Sequence, residues 1–190
     1  MKIRGREIRL PQLFALFVYY SFLRHLPSGS SLFFGKFFRF LRYQCCRHIF
    51  LECGSNVNVE RGAYFASGSR LKIGDNSGLG IDCHVPGDIV IGRNVMMGPN
   101  CHIFGANHAF DRVDVPIIEQ GFEAPKKTTI EDDVWIGRNV CFTPGRYVKR
   151  GSVIGAGCLL SKDYPEYSII GGNPSRLIRS RIKARPDTSA

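Results

Sequence analysis

Apolar residues recur every sixth position through the middle of this chain. Ile73, Leu79, Val85, Ile91, Met97 and Ile103 form one run, and glycine follows four of them, at Gly74, Gly80, Gly92 and Gly98. Four places beyond each apolar residue stand Ser77, Cys83, Ile89, Val95, Cys101 and Asn107, small or apolar until the last. A period of six fits neither an amphipathic helix nor a single alternating strand. It is the signature of a parallel β-helix, in which each unit is one short flat of a coiling sheet. With three flats per turn, a residue lies over the one about 18 places on, at the strand-stacking distance of about 4.8 Å.

A second run repeats the rule at Ile130, Ile136, Phe142, Val148, Ile154 and Leu160. Its small positions read Val134, Val140, Arg146, Ser152, Cys158 and Tyr164, so the rule frays toward the end. Ile103 and Ile130 are not separated by a multiple of six, so something interrupts the coil. The interruption, 105–128, lacks the hexad and contains Pro116, Gly121 and Pro125. A long loop thrown out of a compact coil is usually functional. Before the first run, Val57 and Val59, then Gly62 to Phe65, predict a first, irregular coil over residues 51–72.

The first fifty residues follow a different pattern. No charge interrupts Leu10 to Leu23, a run too short to cross a bilayer as a helix. No small-residue cleavage site follows it, as a signal peptide would need. The segment predicts two helices broken at Pro27-Ser28-Gly29-Ser30, the second from Leu32 to Phe50. The domain plan is thus a basic aromatic helical arm (1–50), a coil (51–176) and a tail (177–190). The first half of the tail is expected to be a helix end packing on the coil, and Pro186 to Ala190 to be disordered.

Charge sharpens the reading of the arm. The chain has 190 residues and a net charge of +10. Residues 1–50 hold Lys2, Arg4, Arg6, Arg9, Arg24, Lys36, Arg39, Arg42 and Arg47 against Glu7 alone, which is +8 of that total. Basic and aromatic residues mixed along a helix suit a membrane interface. The same aromatics would also cap the open end of a solenoid. No nucleic-acid module is recognisable elsewhere, so no nucleic-acid partner is expected. Of seven cysteines, Cys83, Cys101 and Cys158 fall on the small inward positions, where a thiol packs as a small hydrophobe. Cys45, Cys46 and Cys53 lack paired zinc spacing. Reduced thiols and a cytoplasmic compartment are expected.

The candidate chemistry is histidine chemistry. His84 and His102 hold the same place in their hexads and should stack on neighbouring turns. His108 holds that place one corner further on, at the root of the loop. A histidine there can act from a rigid scaffold. It is well placed to act on something the loop covers, and three imidazoles on adjacent corners could also hold zinc, which leaves a hydratase of the carbonic anhydrase kind as an alternative.

The coil, the His108 loop, Asp133-Val134-Trp135-Ile136-Gly137, Ile154-Gly155-Ala156-Gly157, Ser161-Lys162-Asp163 and Gly171-Gly172-Asn173-Pro174-Ser175-Arg176 together carry a resemblance. The chain resembles the hexapeptide-repeat O-acetyltransferases, which include the galactoside and maltose acetyltransferases and a capsule and exopolysaccharide branch. The resemblance implies a mainly β fold, a left-handed parallel β-helix, a homotrimer, and acetyl-CoA in a groove between subunits. It implies that His108 is the catalytic base. Trp135 would lie near the pantetheine arm, and Gly137 in the acetyl region, its N–H the candidate oxyanion donor. Ala156 and Gly157 would let the cofactor approach closely. Ser161 and Lys162 would meet its pantetheine and phosphate end, and Arg176 its adenosine phosphates. Asn107 and Asp82 are candidate hydrogen-bonding residues for the acceptor. Arg138 and Arg146 depart from the family pattern; Arg146 is expected to turn outward or meet a carboxylate.

The expectation that follows is an acetyl-CoA-dependent O-acetyltransferase acting on a sugar or glycan precursor in surface polysaccharide synthesis. It would work in the cytoplasm, at the inner face of the membrane, with no metal. Direct transfer needs no cysteine nucleophile. The Trp135 motif and the Gly-Asn-Pro-Ser-Arg stretch favour the transferase over the hydratase.

Overall fold

A computed structural model describes residues 10–182, together with the strand pairs at 2–3 and 6–7. The cations expected at Arg4, Arg9, Lys183 and Arg185, and the disorder expected from Pro186 to Ala190, lie outside the described residues.

The coil is built from parallel two-residue strands stacked in three flats. The first flat stacks Glu52–Cys53, Lys72–Ile73, Val90–Ile91, Thr129–Ile130 and Tyr147–Val148. The second stacks Met96–Met97, Trp135–Ile136, Val153–Ile154 and Ser168–Gly171, with Asn58–Val59 and Gly78–Leu79 below. The third stacks His102–Ile103, Cys141–Phe142 and Leu159–Leu160, reached from Tyr64 and His84 by single bridges. Lys72 pairs with Val90 and Thr129 with Tyr147, the stride of 18 that the hexads require. Glu52 pairs with Lys72 and Asn58 with Gly78, so the first turn carries two extra residues. That is the irregularity expected there.

The hexad rule decides what is inside. Eleven of the twelve residues in the two apolar runs are buried, and Met97 is partly buried against them. The small positions fill the same interior: Ser77, Cys83, Cys101, Val140 and Cys158 are all buried. Ser77 is polar there because its hydroxyl bridges turns, donating to Gly92 O (2.6 Å) and accepting from Val95 N–H (2.9 Å).

Corners need residues that tolerate the left-handed region. Asn76, Asn94 and Asp133 share one such corner with φ of 56°, 57° and 57°, and short polar side chains adopt this backbone most readily. Their side chains also form a ladder: Asn56 Nδ2 donates to Asn76 Oδ1 (3.0 Å) and Asn76 Nδ2 to Asn94 Oδ1 (3.3 Å). Glycine is required where flats turn closest. A Cβ at Gly80 would fall 2.1 Å from the Gly98 carbonyl oxygen.

The arm contains helices α1 (Leu10–Ser21) and α2 (Gly35–Ile49), joined through a short 3-10 turn at Leu23–His25. It caps the first turn of the coil. Tyr19 and Tyr20 donate to Ala63 O (2.9 Å) and Ala66 O (2.7 Å). Arg42, fully buried, donates to Val59 O (2.7 Å) and Pro27 O (3.0 Å) and faces Glu60 at 3.7 Å. A buried guanidinium is tolerable because carbonyls and a carboxylate surround it.

Three expectations are corrected. The second helix begins at Gly35, not Leu32, because Phe34 takes a left-handed conformation (φ 58°) that ends any helix upstream. The start of the tail is a strand, Arg176–Ser180, antiparallel to Ser168–Gly171, and not a helix end. Lys2–Ile3 and Arg6–Glu7 form an antiparallel pair where no strand was expected.

Candidate active site

The loop is an ordered hairpin-like excursion. Glu123 N–H donates to Asn107 O (2.9 Å), Ala109 N–H to Gly121 O (3.1 Å) and Lys126 N–H to Gly105 O (2.9 Å). Its outer part is held by Gln120, which donates to Arg112 O and Val115 O, both at 2.8 Å, and accepts from Arg112 N–H at 3.1 Å. His108 therefore leaves the coil on a braced segment, bridged to Phe122. Its imidazole lies over the Phe122 ring, centroids 4.2 Å apart, with its side chain exposed.

Within one chain the candidate residues divide between corners. His108 and Asn107 stand where the third flat returns to the first, and so do Ser161 and Lys162. Trp135 and Arg176 are on the second flat. Gly137, Ala156 and Gly157 form the corner between the second and third flats; a Cβ on Gly137 would lie 2.6 Å from Ala156 N. Asp82 also falls on that corner, paired with Arg61 at 3.5 Å, and is not brought to Asn107 or His108 by its own chain.

The second flat presents an apolar strip outward. Trp135 is 54% exposed and pairs in register with Met96, itself 61% exposed. Arg176 and Lys162 are exposed cations, with Lys162 Nζ 5.8 Å over the Tyr164 ring. The exposed indole beside Met96 suits an apolar stretch of a ligand, and the exposed cations elsewhere on the surface suit phosphates. Ser161 has a different part. Its hydroxyl is 3.2 Å from that of buried Ser175, and its N–H donates to the same oxygen at 3.1 Å. Arg146 meets Asp163 at 3.5 Å and donates to Ser161 O at 3.0 Å, so the departure from the small slot is compensated as expected.

One assignment is overturned. The Gly137 N–H donates to Ile154 O at 2.8 Å, a rung of the coil, so it is not free to receive an oxyanion. Within one chain the three histidines do not converge, which does not favour the hydratase reading. His84 and His102 stack on one another, centroids 4.8 Å apart, while His108 turns to Phe122 on another corner. Among the described residues no three histidine, cysteine or acidic side chains are grouped to hold a metal ion. All seven thiols are free, and burial pushes Cys45 and Cys53 up to about 11 and Cys83 higher still. A thiol held protonated is a poor nucleophile.

Sequence reasoning missed Phe122 against His108, the Gln120 staple and Ser175 beneath Ser161. The only signal for the first two was a break in period, which marks a loop but not its internal pairing.

A hexad coil with a histidine on a braced loop is the architecture of a hexapeptide transferase. The bacterial transferase hexapeptide signature, of six repeats, matches residues 70–105. The galactoside O-acetyltransferase of Escherichia coli is 33% identical over 140 residues, 73% of this chain and 68% of that protein. A maltose O-acetyltransferase from Clostridium difficile superposes with a TM-score of 0.71 at 29% identity, covering 91% of this chain and 87% of that one. A hexapeptide-repeat acetyltransferase of Vibrio cholerae, solved with acetyl coenzyme A, does so at 0.69 and 27%, covering 95% and 96%. The chain belongs to the hexapeptide-repeat acetyltransferase family and is an acyltransferase.

Proposed function

We propose that this protein transfers the acetyl group of acetyl-CoA to a hydroxyl of a sugar or glycan precursor, with His108 as general base. A sugar hydroxyl is a weak nucleophile at neutral pH. An imidazole nitrogen of His108 takes its proton as the oxygen attacks the thioester carbonyl. The C–S bond then breaks, and the proton passes from the imidazolium to the departing thiolate. The acyl donor lies along Trp135, Gly137, Ala156 and Gly157, with Ser161 holding the turn through Ser175. Lys162 and Arg176 meet its phosphates, as cations suit phosphate oxygens. Asn107 and Asp82 contact the acceptor.

The observation that carries this reading is the separation, within one chain, of the His108 corner from the second flat and the corner that follows it. A threefold assembly sets the His108 corner of one subunit against the Trp135 flat of the next. The site is then complete only in a homotrimer. The same reading puts the reaction in surface polysaccharide synthesis at the inner face of a membrane, where the exposed aromatics of the arm would be of use.

The test is acetyl-CoA consumption with a panel of sugars, native chain against His108→Ala. Thiol release should require an acceptor and fall by about 10²–10⁴-fold in the variant. Acceptor-dependent release that persists unchanged would remove His108 from the mechanism.

A further inference from the structure

The arm is apolar on its inner side and apolar again on its outer side. Helix α1 buries Ala15 and Tyr19 against the coil, yet Leu10, Phe14 and Phe17 face outward at helical spacing, 80%, 69% and 63% exposed. A helix apolar all round belongs in a fully buried place. The turn into α2 does the same. Phe33 is 75% exposed, and Phe37 and Phe40 continue that stripe on the helix. Phe34 is held in a left-handed conformation that phenylalanine rarely adopts, and its side chain is left 72% exposed.

Charge says what covers these side chains. From Leu10 to Leu51 the chain contains Arg24, Lys36, Arg39, Arg42 and Arg47 and no acidic residue. Arg42 is consumed within the fold, and Arg39 holds the end of the asparagine ladder through Asn56 at 2.9 Å. Lys36 and Arg47 remain exposed on the helix that carries Phe37 and Phe40. Two arms packed on each other would set cation against cation with no carboxylate between them. Phenylalanines that enter the acyl boundary beside cations that meet headgroup phosphates are instead the composition of an interfacial anchor. No helix among the described residues is long and apolar enough to cross a membrane.

We propose that the outer side of the arm is a docking surface for an anionic phospholipid membrane, which it enters without spanning. This rests on the transferase reading only for its purpose, since acetylation at a membrane serves a lipid-linked acceptor; the binding itself needs no catalysis.

The full chain is tested by flotation with vesicles of phosphatidylcholine alone and of phosphatidylcholine with phosphatidylglycerol. The native protein should float with the anionic vesicles, release as salt is raised, and stay unbound with the neutral ones. Phe14→Ser/Phe17→Ser and Phe33→Ser/Phe37→Ser should each weaken binding, and all four together by at least about tenfold. Acetyl transfer to a soluble acceptor should be unchanged in the same variants, which separates failure of this surface from failure of the transferase reading. Absence of flotation with anionic vesicles overturns the proposal. So does a fall in solution mass on serine substitution without loss of vesicle binding, which would make the face a contact between copies.

Discussion

The coil and the loop that leaves it obey opposite rules. In the coil every sixth residue goes inward, and the fold depends on side-chain volume and corner backbone. In the loop, Phe110, Val113, Ile117, Ile118 and Phe122 all stand exposed, and order comes from backbone rungs, the Gln120 bonds, the Arg112–Asp114 pair and the His108–Phe122 stack. With His108 as the proposed base, the difference assigns stability and chemistry to separate stretches of this chain. A substitution in one should leave the other's property nearly untouched, and each of the following changes tests that separation.

The sharpest pair sets His108→Ala against Phe142→Ala. The first should cut turnover by about 10²–10⁴-fold with an unchanged melting temperature, because an exposed loop imidazole holds up no core. The second removes a fully buried ring and should cost about 3–5 kcal/mol of stability in chemical denaturation. Turnover per folded molecule should remain close to native. If His108→Ala lowers the melting temperature as Phe142→Ala does, the two regions are not separable.

Gln120→Ala comes next. It removes the donors to Arg112 and Val115 and the acceptor for the Arg112 N–H, so the loop's outer part loses its staple. We expect kcat/KM to fall by about tenfold, since a small misplacement of a catalytic group is costly. Thermal stability should stay within a degree or so of native, as exposed loop changes usually do little.

The smallest effect belongs to the coil's outer face. Partial burial, then His102, then Arg24 hold the His84 imidazole below its ordinary value. The folded chain therefore binds that proton more weakly than the unfolded chain. Above the ordinary imidazole value both states are neutral and the group contributes no pH dependence. As pH falls below it and through the folded value, the unfolded state takes the proton first and stability declines. His84→Gln should flatten the melting temperature between about pH 7 and pH 5 by a small margin. A slope identical in both proteins would show that the stack does not couple to protonation.

Much of this fold is legible in the sequence. The hexads reported the stride, the inward residues and the point of interruption, because in a solenoid each residue's neighbour is fixed by counting. Arg42 shows where counting stops. A cation in a basic arm reads as solvated, and only the convergence of Val59, Leu26 and Pro27 carbonyls makes a buried site for it. Gly137 shows the other limit. Its place in the motif was readable, but whether its N–H faced a ligand or the next turn depended on the stacking of Ile154 above it. The division of site residues between corners was implicit in their hexad positions, whereas the pairing of Asn107 with Glu123 was not written in any period.

One feature of the ladder bears on how such an enzyme changes its substrate. Val90 pairs with Thr129 across a stride of 39 residues, and the flats above and below resume their usual 18 as if nothing had intervened. The scaffold is blind to what is extruded at that corner. A lineage can therefore exchange one excursion for another, of different length and lining, without re-solving the folding problem. On the proposed reading, selectivity is an interchangeable fitting, and the coil is the socket that receives it.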